Sequence, residues 1–348
     1  MNRAASRIVA RAATVMVLVT SVTLIGGRSR AEAVTPPQDG YGFSVGAAMT
    51  YMSNVDADRE LDAVAKTTAT WLRVLIDWHL VEPMPGAFDW GYVDHWVNGA
   101  RQRGLKVLGL IAYTPDWARQ PGSPFSAPPE QASTYAAFAA KVVQRYADRI
   151  TNWELWNEPN VPLFFGDVPD RAARYTELLK AAYPAIKAVQ PNSTVITAGL
   201  SRAWPPDDPP AFVSALYHFG AKGFFDAMAM HPYVYPSGLA IDDHNGWSDV
   251  ERVHQLMVSN GDGAKKIWMT ELGAPTCAPS SGGVSEEEQA HEITDVLWKS
   301  AESGFSGPAF IYSIRDINSD DQDDEQNDFG ALLTSDWQPK VASYVLAR

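Results

Sequence analysis

A single cysteine, Cys277, stands in a chain of 348 residues, so no internal disulfide can form. Clusters of Cys and His at zinc-ligand spacing are missing, and the sequence asks for no metal and no cofactor. Basic residues are scarce: 28 Lys and Arg against 41 Asp and Glu leave a net charge of −13. They gather into no patch, which excludes nucleic acid and anionic lipid as partners and suits a neutral substrate. No internal repeat or linker divides the chain. Long apolar runs are lacking too, and the run 12–25 is short for a membrane span.

That run has another reading. Arg3, Arg7 and Arg11 precede it, and Ala31-Glu32-Ala33 follows as a small-x-small cleavage site. Residues 1–33 therefore read as a secretory signal peptide, with an uncleaved anchor as the alternative. The expected mature chain, 34–348, is secreted and free of the membrane. Losing five arginines and one glutamate takes its net charge to −17. Without a disulfide, a large core must stabilise it, and 46% hydrophobic content suffices for one.

From residue 41 the chain alternates apolar strands with amphipathic helices. Strands are expected over 41–49, 71–76, 106–112, the stretch from Trp153, 194–198, 227–231, the stretch from Ile267, and 309–314. Helices are expected near 59–68 and over 89–103, 130–146, 170–189, 210–219, 249–259, 285–303 and 340–347. Helical spacing is plain in 130–146, where Tyr135, Phe138, Ala139, Val142, Val143 and Tyr146 share one face. Ser285 and Glu288 form a capping box at the start of 285–303, and Gly304 follows its end. Eight strands alternating with eight helices predict a single-domain α/β chain, the (β/α)8 TIM barrel.

Two strands end in glutamates. The first stretch reads Trp153-Glu154-Leu155-Trp156-Asn157-Glu158-Pro159-Asn160, and Pro159 stops the ladder just past Glu158. The second reads Ile267-Trp268-Met269-Thr270-Glu271-Leu272-Gly273. Barrel active sites are built at strand carboxyl ends, and two carboxyl groups of opposite protonation are what glycoside hydrolysis needs. Alone, either glutamate would read as a surface or ion-paired group. Glu154 is expected to be a buried structural carboxylate paired with Arg73, because it lies too deep for a sugar. Aromatic residues crowd the expected strand tops, among them Trp78, Tyr113, Phe164, Phe165, Trp204, Tyr235 and Tyr312. Trp117 and Tyr233 are the expected stacking surfaces for a sugar, whose faces are patches of C–H; the bland reading is ordinary core. The acidic loop 318–328 lacks the order of a calcium loop and reads as solvated.

The segments Trp156-Asn157-Glu158-Pro159-Asn160 and Trp268-Met269-Thr270-Glu271-Leu272-Gly273 resemble the retaining glycoside hydrolases of clan A. Within the clan, the mature chain is most similar to glycoside hydrolase families 5 and 39, the cellulase-like and β-xylosidase-like enzymes. The resemblance implies that Glu158 is the general acid/base and Glu271 the nucleophile. It implies that Asn157 bonds the sugar 2-hydroxyl and that Tyr233, in His231-Pro232-Tyr233, bonds the nucleophile. It also implies that Arg73 lies below the nucleophile and holds it ionised. His231 alone also fits a satisfied core histidine at the barrel rim. The expected function is hydrolysis of O-glycosidic bonds in a carbohydrate substrate. A transglycosylase would use the same residues, and a carbohydrate-binding barrel would need neither glutamate. Sugar, linkage, endo or exo action and oligomeric state depend on loop shapes and surfaces that a sequence does not display.

Overall fold

The computed structural model describes residues 34–239 and 246–348, and the signal-peptide assignment to 1–33 lies outside the described residues. Eight parallel strands close into a barrel in chain order. The first four are β1 (Tyr41–Ser44), β2 (Trp71–Asp77), β3 (Lys106–Ala112) and β4 (Asn152–Asn157). The others are β5 (Thr194–Leu200), β6 (Ala227–Met230), β7 (Ile267–Leu272) and β8 (Ser306–Tyr312). Closure runs through β8 and β1, where Tyr41 pairs with Ala309 and Ser44 with Tyr312. A helix follows each strand, as the periodicity predicts. Parallel strands need cover on the outer face, and the helices provide it. In Ala132–Tyr146, the six apolar residues picked out by spacing are all buried.

Helix ends are set by local hydrogen bonds. Ser285 and Glu288 make the reciprocal capping box, and Gly304 closes that helix in the left-handed region. Asp170 accepts from the Ala173 amide at the start of Arg171–Val189. The first helix is Asn54–Ala65, several residues earlier than expected, because Ser53 caps it by accepting from the Asp56 amide. β1 is shorter than 41–49. It gives way to a 3₁₀ turn, Ala47–Thr50, in which Met49 stays buried without belonging to the sheet. The last helix, Val341–Val345, is shorter than 340–347, since Ala347 instead bridges to Thr67.

Inside the barrel, three tiers stack along the axis. At the amino-terminal end, Trp71, Trp268 and Phe310 form a buried plug with Leu108, Ile196, Ala227 and Ala229. The Trp71 and Trp268 rings meet edge to face at 5.4 Å, and Trp268 stacks on Phe310 at 6.4 Å. Burying a ring of this size contributes about 2 kcal/mol. A polar tier of Ser44, Arg73, Glu154 and Thr270 lies next to it, all buried. The open cleft at the carboxyl-terminal end comes third.

Candidate active site

Arg73 projects from the middle of β2 and uses all five of its N–H donors. Nε and Nη2 grip Glu154 at 2.6 and 3.1 Å. Nη1 reaches Ser44 Oγ at 3.0 Å and Glu271 Oε1 at 2.6 Å, and Nη2 also donates to Asn157 Oδ1 at 3.0 Å. A guanidinium offers no sixth donor, so the group is fully satisfied. Burial opposes its charge, but Glu154 and Glu271 more than offset this and hold its pKa above the ordinary value. Glu154 is thus the structural partner of Arg73 that the sequence suggested. Because Arg73 can only donate, the Asn157 amide must turn its oxygen inward, which leaves Nδ2 to face the cleft.

β4 does not keep simple alternation at its end. Trp156 has φ +79° and Glu158 φ +43°, both in the region disfavoured for residues with a side chain. Each such residue costs of order 1–3 kcal/mol, and surrounding contacts must hold it. Trp156 is held by rings of the outer layer, Tyr135 at 5.6 Å and Phe165 at 5.4 Å. Its indole N–H donates to the Phe164 carbonyl at 2.8 Å. The Glu158 amide donates to the Gly199 carbonyl at 3.0 Å. As a result Asn157 and Glu158, neighbours in sequence, both reach the site.

β7 shows a related departure. Its register with β8 shifts between Met269 and Leu272, and the extra residue lets Thr270 and Glu271 both make contacts inside the barrel. Glu271 receives Arg73 on one oxygen and the Tyr233 hydroxyl on the other, at 2.7 Å. His231 lies just past β6. Its Nδ1 sits 2.6 Å from Glu158 Oε1 and 3.6 Å from Glu271 Oε2, and its Nε2 is 3.1 Å from Thr270 Oγ1. The rim histidine is therefore in the site rather than in an apolar core.

These contacts set the charges. Burial alone would raise the pKa of Glu271, but the charges of His231 and Arg73 and the hydrogen bonds from Tyr233 and Arg73 bring it below the ordinary value. For His231, burial pulls the pKa down, while Glu271 and Glu158 pull it up and prevail. Burial and the nearby Glu271 push Tyr233 well above the usual phenol range, so it remains a donor. Glu158, His231 and Glu271 bring one donor atom each within 4.8 Å of one another. No other such trio exists among the described residues, and the loop 318–328 gathers none. The fixed cation at this cluster is the guanidinium of Arg73.

A cleft of about 350 Å³ opens over Asn157, Glu158 and Glu271. Of the aromatics picked out by sequence, Tyr113, Phe164, Tyr233, Tyr235 and Tyr312 line it. Trp78 and Phe165 are fully buried core. Trp117 is not on the cleft wall: its ring stands edge-on to Trp78 at 5.6 Å, and its N–H donates to the Glu82 carbonyl. A tryptophan in a strand-top loop gives no sign of which way it turns. Sequence reasoning missed Thr270, Leu163, Phe329, Glu325 and Gln326. The last two bring the acidic loop to the cleft, where Tyr235 donates to Glu325 at 3.3 Å.

No family model matches the chain, and no curated protein does. Solved structures do. A family 39 glycoside hydrolase from the gut symbiont Bacteroides cellulosilyticus is 25% identical, with a TM-score of 0.67, over 90% of this chain and 64% of its own. This chain thus spans less than two thirds of that enzyme's length. A family 5 (subfamily 18) enzyme from Streptomyces cattleya, in complex with GlcNAc, shares 16% identity, with a TM-score of 0.64, over 90% of this chain and 79% of its own. Xylanase B from Clostridium stercorarium shares 16%, with a TM-score of 0.61, over 89% of this chain and 97% of its own. At that identity the last two bear on the fold alone. A family 10 enzyme is also similar, and these neighbours match the resemblance to clan A read in the sequence.

Proposed function

We propose that the chain is a secreted retaining β-glycosidase that hydrolyses O-glycosidic bonds of an oligosaccharide or polysaccharide. One observation carries this reading: a carboxylate oxygen of Glu158 lies within 4.8 Å of one of Glu271. Retaining pairs stand about 5–5.5 Å apart, whereas inverting pairs need roughly 6.5–9.5 Å to admit a water. Secretion rests separately on the signal-peptide pattern of residues 1–33.

Each residue then has a role that its contacts suit. Glu271, kept ionised by Arg73 and Tyr233, attacks the anomeric carbon and forms a glycosyl ester. Glu158 gives its proton to the departing oxygen, then takes one from the water that opens the ester. Asn157 offers Nδ2 to the sugar 2-hydroxyl, a bond that strengthens as positive charge develops at the neighbouring carbon. The aromatic walls cover the C–H faces of the sugar.

Proton NMR of the first product tests the reading. A β-glycoside should release the β-anomer before mutarotation sets in, and initial release of the α-anomer would leave Glu271 as a base for water instead. A second test concerns Tyr233. Tyr233→Phe keeps the ring and deletes the donor that helps lower the Glu271 pKa. The ionised form is the active one, so activity is lost as pH falls through that pKa. Removing the donor raises it, and the acidic limb of kcat/KM should move up by about one unit. A profile overlaying the parent's would show that the bond does not tune the nucleophile.

A further inference from the structure

A chain of hydrogen bonds behind His231 fixes where its protons lie. Glu154 takes donors on both oxygens: Arg73 Nε on Oε2, and Arg73 Nη2, the Gly199 amide and Thr270 Oγ1 on Oε1. It acts here as an acceptor only. Thr270 therefore spends its single proton on Glu154, at 2.9 Å, and its oxygen can only accept from His231 Nε2. Gly199 makes room for this meeting, since a Cβ there would stand 2.0 Å from His231 Nε2 and 2.5 Å from Thr270 Oγ1.

We propose that Thr270 and Glu154 are positioning residues that lock His231 in its Nε2–H form and thereby keep a proton on the Glu158–His231 pair. With Nε2 protonated, a neutral ring turns a bare Nδ1 toward Glu158, and the 2.6 Å contact then requires a proton between them. Taking that proton away would leave a ring lone pair facing a carboxylate oxygen at 2.6 Å. The ring has no cheap escape, because moving its remaining proton to Nδ1 would set Nε2 against an oxygen whose hydrogen points elsewhere. The other groups facing the pair are Arg73 from β2, Tyr113 past β3, Tyr233 past β6, Glu271 from β7 and Tyr312 at the end of β8. None of these is a hydrogen-bond partner of Nε2, which meets Thr270. The inference rests on Glu158 being the acid, and it names what keeps that acid loaded.

Thr270→Val preserves shape and removes the acceptor. A neutral ring can then protonate Nδ1 and donate to the Glu158 carboxylate, which stabilises the unprotonated acid. The basic limb of kcat/KM should move down by about one unit, with roughly tenfold loss near neutral pH on substrates with poor leaving groups. Thr270→Ser restores the hydroxyl and should restore the profile. A purely structural role for Thr270 would lower activity at every pH alike. Independently of turnover, ¹⁵N NMR of the parent protein should show His231 protonated at Nε2 across its whole titration. A neutral ring protonated at Nδ1 in the parent overturns the proposal, as does a Thr270→Val profile unmoved along the pH axis or a Thr270→Ser that behaves like valine. An α-anomer as first product would instead overturn the retaining mechanism and leave the tautomer reading standing.

Discussion

Glu271→Ala should lower turnover of both activated and natural β-glycosides by on the order of 10⁴-fold or more, since both need the covalent intermediate. The variant leaves a space beside two donors, Arg73 Nη1 and the Tyr233 hydroxyl, that were serving the lost carboxylate. A small anion such as azide or formate fits both the space and the charge. Added azide should therefore restore cleavage of an activated substrate and give the α-glycosyl azide, with a single inversion replacing two. Undiminished turnover in the variant would remove Glu271 from the nucleophile role. A melting curve like the parent's guards against reading an unfolded protein as an inactive one.

Glu158→Gln should separate substrates by their leaving groups. The replacement amide can donate to a bare His231 Nδ1 across the same contact, so geometry is kept, but it has no proton to release. Formation of the glycosyl ester should slow by roughly 10²–10⁴-fold where the departing alkoxide is basic, and far less for a nitrophenolate. The second step also needs Glu158, to take a proton from water. Azide needs no base, so it should accelerate that step and give the β-glycosyl azide. Opposite anomers of azide from the two variants would assign the two carboxylates to their faces of the sugar. Equal losses for good and poor leaving groups, with ester formation limiting, would move the acid role to another group.

The barrel was legible because its signals are repeated and local. Helical spacing such as Tyr135 to Tyr146, the capping box at Ser285 and the short apolar runs each point the same way, and closure follows from strands feeding helices. The two glutamates were legible because each ends a strand. What stayed hidden lies where regular geometry stops. Alternation along β4 would put Trp156 beside Glu154 and Glu158, but its φ of +79° turns it to the helices and brings Asn157 in. Alternation along β7 would put Thr270 opposite Glu271, and the register shift brings both to the same interior. The direction of Trp117, toward Trp78 and the Glu82 carbonyl, stayed hidden for the complementary reason: a loop residue has no period from which it could be read. Glu325 and Phe329 reach the cleft from a loop whose path depends on contacts far away in the chain, such as the one from Tyr235.

The plug of Trp71, Trp268 and Phe310 makes the barrel a vessel with one door. Among the described residues these rings fill the amino-terminal end of the axis, so in the proposed mechanism a molecule that meets the glycosyl ester would arrive through the mouth that the leaving group vacates. Water and a second sugar then compete for one doorway, on terms set by whatever lines it. Leu163 is 73% exposed and borders the cleft, and together with Phe164 it gives that threshold an oily edge. A sugar ring can rest its C–H face there, which water cannot do. The balance between breaking glycosides and rebuilding them should thus shift with the concentration of acceptor sugar. It should also shift with the size of residue 163, a position far from any proton or electron pair in the reaction.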